Sequence, residues 1–156
     1  MSMGRLDKET IAILKKQKAF EDATVERLTL FYNSTKNSIV KLFIHRIILD
    51  TMKHSDIYQS LIAVNSGAIV ADIDKERMTK ELTMHIREEV EMLNRAVEIS
   101  KKMEDEKSRR LIEQVIEDER LHHKLLEELL EIVKKVEGMH REDWLEFYYD
   151  RAEWLF

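Results

Sequence analysis

A Glu-x-x-His motif, Glu119-Arg120-Leu121-His122, lies within a long segment of helical periodicity. Residues three apart in an α-helix lie on the same face, so this motif presents a carboxylate and an imidazole side by side. The chain has no cysteine, and oxygen and nitrogen ligands without sulfur suit iron or manganese, with zinc also open. The motif therefore predicts part of a metal site.

Further ionisable residues interrupt the apolar stripes of the predicted helices near their centres. Apolar residues spaced alternately three and four apart form the inward stripe of a helix, which we call its seam. The apolar seam residues are Leu14 and Leu28, then Phe43, Ile47, Ile57 and Leu61, then Met78, Leu82, Met92, Ala96 and Ile99, then Leu111, Val115, Leu125, Leu129 and Ile132. The ionisable seam residues are Glu21, Asp50, His54, His85, Glu89, Asp118 and His122. Burial of an uncompensated ion costs several kcal/mol, so a bound cation is expected to compensate these groups.

The two halves of the chain repeat with an offset of 68 residues. The offset pairs three ionisable residues of the first half with residues of the same type in the second, namely Glu21 with Glu89, Asp50 with Asp118, and His54 with His122. Apolar residues match at the same offset, as Leu61 does with Leu129. The repeat indicates two copies of one structural unit, and it places Thr51 where the second copy has Glu119.

Composition predicts that these residues lie on helices. Of the 156 residues, 44% are hydrophobic and 37% are charged, with three glycines and no proline. So few turn-forming residues argue against sandwiches, barrels and hairpin-rich folds. Abundant Leu, Ile, Glu and Lys favour helix throughout. The predicted class is all-α.

Loop lengths predict the topology of a four-helix bundle. The sequence predicts two helical hairpins, at about residues 6–64 and 75–136, and a short polar turn joins the two helices of each. A connection of about ten residues that includes Gly67 links one hairpin to the other. A bundle with one long crossover is the expected arrangement for residues 1–138. Residues equidistant from a hairpin turn face each other, which places Glu21 beside Asp50 and Glu89 beside Glu119, roughly 22 Å from the turns. The polar residues are therefore expected to form one layer.

With these residues, the chain resembles the ferritin-like superfamily, specifically its rubrerythrin-like, single-domain branch. The resemblance covers about residues 10 to 136 and rests on three motifs, Leu49-Asp50-Thr51-Met52-Lys53-His54, His85-Ile86-Arg87-Glu88-Glu89 and Ile116-Glu117-Asp118-Glu119-Arg120-Leu121-His122-His123. It implies a di-iron or di-manganese carboxylate centre that activates peroxide or dioxygen, or oxidises ferrous iron. Glu21, His54, Glu89, Glu119 and His122 fall at the family's ligand positions, with Glu119 as the bridging carboxylate. Rubrerythrins carry a cysteine-ligated iron domain as electron relay, so a redox activity here would need an external electron donor.

One departure from the family leaves the ligand set open. Thr51 stands where the family has a second bridging Glu, and a hydroxyl is a poor substitute for a carboxylate. Asp50, His85 and Asp118 are candidate additional ligands or hydrogen-bond partners. The layer is consistent with two unequal metals, one metal, or none. The alternative function is a non-enzymatic helical bundle that acts as a binding or scaffold protein, with a decayed metal site and a polar network that fixes helix register.

The carboxyl-terminal segment, residues 139–156, holds six of the eleven aromatic residues. A short fifth helix at about 142–155 is predicted, packed on the bundle or on a partner subunit, because a helix apolar on two faces needs two partners. We expect a homodimer or higher homo-oligomer. The net charge of −5 disfavours nucleic acid, and no segment reaches the length of a membrane span. The expected location is cytoplasmic.

Overall fold

The computed structural model describes residues 6–66 and 75–135, together with Glu146 and Asp150. The described ranges contain four α-helices and no strand. Helix α1 is Lys8–Ser34, α2 is Ser38–Ser66, α3 is Lys75–Lys102 and α4 is Glu106–Lys135. The all-helical prediction is confirmed. The predicted crossover and fifth helix lie outside the described residues, apart from Glu146 and Asp150. None of the helices that the structure describes combines the length and the apolar character needed to cross a membrane.

Side-chain caps begin three of the helices. The Asp7 carboxylate accepts a hydrogen bond of 2.7 Å from the amide of Thr10 at the start of α1. The side-chain carbonyl of Asn37 accepts from two amides in the first turn of α2, at 3.0 and 3.1 Å. Asp105 accepts from the amide of Ser108 at 2.7 Å and so begins α4. Each cap satisfies amides that the helix itself leaves without an acceptor.

The chain divides into two compact units, Met1–Ala71 and Asp72–Phe156. In the first unit, α1 packs against α2 and the two helices run antiparallel. Their contacts include Ser55 Oγ, which donates to Asp22 Oδ1 at 2.5 Å, and Leu6, whose amide donates to the side chain of Asn65 at 2.9 Å. The buried residues of this hairpin on α2 are Ile44, Ile48, Thr51 and Ser55.

In the second unit, α3 packs against α4 across the short turn at residues 103–105. Val133 is completely buried, and the other buried residues of this hairpin are Glu89, Ala96 and Ile116. One of these four is a carboxylic acid. The second hairpin therefore carries an ionisable group in the centre of an otherwise apolar contact.

On α2 and α4 the most buried residues lie one position along from the predicted seams, whereas on α3 the seam residues Glu89 and Ala96 are themselves buried. Ile48 is 8% exposed whereas the seam residue Ile47 is 52% exposed, and Ile116 is 7% exposed whereas the seam residue Val115 is 41% exposed. Two paired helices bury only the strip that faces the partner helix, and successive residues lie about 100° apart around a helix. On α2 and α4 the sequence pattern identifies the apolar side of the helix but not the strip that contacts the hairpin partner, whereas on α3 it identifies both.

Ile48 and Ile116 occupy equivalent positions in the repeat, which gives a paired test of hairpin packing. Ile48→Ala and Ile116→Ala should each lower the free energy of unfolding by about 2–5 kcal/mol, because each removes buried methyl groups and leaves a cavity. The measurement is urea unfolding followed by circular dichroism. Glu117→Ala, at an exposed position beside Ile116, should change the free energy of unfolding by about 0.5 kcal/mol or less. Equal effects of Ile116→Ala and Glu117→Ala would contradict this packing.

Candidate metal centre

Helices α3 and α4 bring three candidate ligands together. Glu89 lies at the centre of α3, and Glu119 and His122 lie one turn apart on α4. One ligand atom from each of these residues lies within 4.8 Å of the other two. Glu89 and Glu119 are nearly equidistant from the turn that joins the helices, so the antiparallel pairing places them at the same level.

The imidazole of His122 lies close to both carboxylates but is not hydrogen-bonded to either. His122 Nδ1 lies 3.9 Å from Glu89 Oε1 and 3.9 Å from Glu119 Oε2. These distances exceed the range of a hydrogen bond between nitrogen and oxygen. The imidazole nitrogen and two carboxylate oxygens therefore converge without satisfying one another.

Two carboxylate oxygens of the cluster are buried without any hydrogen-bond partner. They are Glu89 Oε2 and Glu119 Oε2, and Glu89 is only 3% exposed. A buried acceptor without a partner costs about 1–3 kcal/mol, and more when it is charged. The cluster thus contains strong acceptors that the protein itself leaves unsatisfied.

The pair of carboxyl groups perturbs acid–base behaviour at Glu119. A hydrogen bond that the protonated Glu119 makes with the carboxyl of Glu89 raises the pKa of Glu119 from its ordinary value of 4.5 to about 7, with further contributions from burial and from the charges of Glu89 and Asp118. The nearby His85 acts in the opposite direction. Two carboxylates in one buried space resist joint ionisation, and a proton or a cation relieves the repulsion.

His85 contacts this cluster through Glu89. Its Nε2 atom lies 3.2 Å from Glu89 Oε1, and its Nδ1 atom lies 3.5 Å from Glu88 Oε2. His85 is not one of the three residues whose ligand atoms converge. Its position one turn before Glu89 instead lets it orient the Glu89 carboxylate.

The first hairpin has two of the three repeat-related candidate ligands. His54 Nδ1 lies 3.6 Å from Glu21 Oε1, so the counterparts of His122 and Glu89 also meet. The position of Glu119 is taken by Thr51, which is 6% exposed. Asp50 pairs with Lys53 at 3.2 Å, and the described residues of this hairpin contain no group of three converging ligands.

Asp118 is the remaining candidate. It is exposed on α4 and influences the cluster through its charge on Glu119. His123, which is not among the predicted ligands, has a buried Nδ1 without a hydrogen-bond partner, and its Nε2 lies 3.3 Å from Glu127. The Asp22–Ser55 hydrogen bond was not predicted either. The only sequence signal for this hydrogen bond is that Asp22 directly follows Glu21 and Ser55 directly follows His54, both of which are repeated at the 68-residue offset.

Comparison with known proteins leaves the family open. No protein-family model, no curated protein and no solved structure matches the chain.

The raised pKa of Glu119 predicts a specific pH dependence of stability in the metal-free protein. The folded state holds this proton more tightly than the unfolded state, so the stabilisation is complete below about pH 4.5 and is lost as the pH rises through about 7. Glu119→Gln keeps a hydrogen-bond donor and cannot ionise. The melting temperature of the wild type relative to that of Glu119→Gln should therefore fall across this pH range, as measured by thermal unfolding after chelation.

Glu113→Gln provides the matched control, because Glu113 is exposed on the same helix. Its melting temperature should run parallel to that of the wild type from acid to neutral pH. A difference between wild type and Glu119→Gln that stays constant with pH would contradict the coupling between Glu89 and Glu119.

Proposed function

We propose that the protein binds a metal ion through Glu89, Glu119 and His122 of its second hairpin. The observation that carries the proposal is the convergence of two carboxylates and an imidazole with two buried, unpartnered oxygens. Iron and manganese are the favoured metals because the donors are oxygen and nitrogen without sulfur.

The donor set is well suited to a divalent cation. Two carboxylates supply a charge of −2 when both are ionised, and a cation would replace the proton that the pair holds up to about neutral pH. His85, at 3.2 Å from Glu89, would hold the Glu89 carboxylate in place. Partners of this kind orient metal ligands and increase affinity.

We further propose that this site is of the ferritin-like, rubrerythrin-like type, in a four-helix bundle with one long crossover. The same resemblance implies Glu21 and His54 as further ligands, which together with the other three would be the ligand types of a dinuclear centre of iron or manganese. A redox-active metal of this type would supply electron transfer to peroxide or dioxygen. The electrons would come from ferrous iron as substrate or from an external donor, and the chain's own residues would bind the metal.

A second candidate function is a non-enzymatic bundle that acts as a binding or scaffold protein with a decayed site. Thr51 favours this alternative, because its hydroxyl cannot replace a bridging carboxylate. The nearest acid, Asp50, does not fill the gap, since it pairs with Lys53 and its side chain is 58% exposed. Under this alternative the second hairpin's polar residues would fix helix register only.

Anaerobic titration with ferrous iron tests the metal proposal. The wild type should bind at least one equivalent, measured by elemental analysis after desalting. Glu119→Ala and His122→Ala should each weaken binding at least tenfold, equivalent to about 1.4 kcal/mol, because each removes one of three ligands. Glu113→Ala, an exposed acid on the same helix, should bind as the wild type does. Less than about a tenth of an equivalent in the wild type would refute the proposal and leave the scaffold function.

Thr51→Glu tests whether the first hairpin lacks only one carboxylate. The substitution copies the second hairpin and should add a further metal equivalent per chain, because Glu21 and His54 already lie 3.6 Å apart. Thr51→Gln, of similar size but without the charge, should add none. Elemental analysis of both variants is the measurement, and circular dichroism checks that the buried position accepts the longer side chain. Equal metal content in the two folded variants would contradict the prediction.

A further inference from the structure

His85 on α3 lies between an exposed carboxylate and a buried one. Its Nε2 atom is 3.2 Å from Glu89 Oε1, and its Nδ1 atom is 3.5 Å from Glu88 Oε2. The side chain of Glu89 is only 3% exposed, whereas those of His85 and Glu88 are 49% and 58% exposed. Three side chains of one helix therefore form a continuous line of contacts from solvent to the most deeply buried carboxylate of the candidate metal centre.

The outer end of this line has the geometry of a cation site. A neutral imidazole donates from one nitrogen and accepts at the other. With the proton of His85 on Nε2, which faces Glu89, the Nδ1 atom presents a lone pair toward Glu88 Oε2. Two ligand atoms that each lie about 2.1 Å from a metal ion are about 3.0–3.5 Å apart in octahedral or tetrahedral coordination. Nδ1 and Oε2 already lie at such a separation.

The charge of Glu88 has no lysine or arginine partner on its own helix. Ion pairs on a helix join residues three or four apart, and the four such positions around Glu88 contain one base, which is His85. Glu91 on the same helix has a partner of this kind, Arg95, at 3.7 Å. On α3, therefore, Glu88 keeps its negative charge at the solvent end of the line, with an imidazole beside it.

The internal repeat shows that this pair is not a requirement of the hairpin fold. At the 68-residue offset, His85 and Glu88 correspond to Gln17 and Phe20 of the first hairpin, which supply neither an imidazole nor a carboxylate. The described residues of the first hairpin also contain no group of three converging ligands. The outer pair and the three-ligand cluster thus occur together, in the same hairpin.

We propose that His85 and Glu88 form an outer, transient site for a divalent cation, from which the ion passes to Glu89 and the buried cluster. This role rests on the metal site proposed above and adds the route by which the ion arrives. An exposed carboxylate attracts cations from solvent, and His85 contacts both this carboxylate and the buried one. An ion that exchanges its ligands one at a time along this line avoids the cost of entering a buried space uncoordinated.

Stopped-flow mixing of the full chain with Co²⁺ tests the route, because protein-bound Co²⁺ absorbs visible light and binds oxygen and nitrogen ligands. Glu88→Gln should slow association about tenfold or more, because the first capture step loses its charge. The equilibrium dissociation constant should change by about threefold or less, because salt screens a single exposed charge. Glu91→Gln, an exposed acid on the same helix, should associate at the wild-type rate.

Asp118→Asn tests the alternative route along α4, because Asp118 is the exposed acid whose charge acts on Glu119. It should slow association less than Glu88→Gln does. A wild-type rate in Glu88→Gln, a loss of rate equalled by the loss of affinity, or a larger effect of Asp118→Asn would overturn the entry role alone. A wild type that takes up no Co²⁺ would refute the metal site and the entry role with it.

Line broadening by Mn²⁺ in nuclear magnetic resonance spectra locates the outer site directly. In Glu119→Ala, which removes a ligand of the buried cluster, substoichiometric Mn²⁺ should still broaden the ring signals of His85. Glu119→Ala/Glu88→Gln should lose this broadening, because the outer site then lacks its carboxylate. Broadening of equal size in both variants would overturn the outer site.

Discussion

The buried contact between two antiparallel helices is the constraint on which each hairpin depends. A pair of helices buries only a narrow strip on each partner, so few residues stabilise the contact, and substitutions within it have large effects. In the second hairpin that strip includes Glu89 and adjoins Glu119. Acidic groups in such a strip destabilise the contact unless a proton or a cation balances them. The same packing that holds α3 to α4 therefore places two acidic groups where a proton or a cation would stabilise the contact.

The internal repeat shows how two copies of one hairpin have acquired different properties. The second hairpin has three converging candidate ligands, whereas the first has two candidate ligands and buries Thr51 at the position of the third. Asp22 and Ser55 join α1 to α2 by a hydrogen bond, and their repeat counterparts are Val90 and His123. The differences lie on the helix surfaces and in the polar layer, while Ile48 and Ile116 are buried in both copies. Helix pairing is thus the shared property, and chemistry and surface character vary around it.

Sequence periodicity was sufficient to predict the helices and the convergence in the second hairpin. The predicted hairpin ends, at about residues 6, 64, 75 and 136, lie within two residues of the observed helix ends, because breaks in periodicity coincide with polar turns. Glu89 and Glu119 could be placed together because each lies about fifteen residues from one short turn. The contact strip could not be predicted, since apolar residues on α2 extend around much of the helix and only the partner selects among them. The pairing of Asp50 with Lys53 and of His85 with Glu89 depends on rotamers, which periodicity does not determine.

The short turn at residues 103–105 has a consequence for the order of events during folding. Glu89 and Glu119 are separated by thirty residues of chain, most of them helical, so little loop entropy is lost when they meet. Once both helices have formed, this contact requires only that the short turn between them closes. During synthesis from the amino terminus, the candidate ligands can therefore converge as soon as α4 has emerged. Under the proposed function, a metal ion bound at that stage would stabilise the hairpin as it forms.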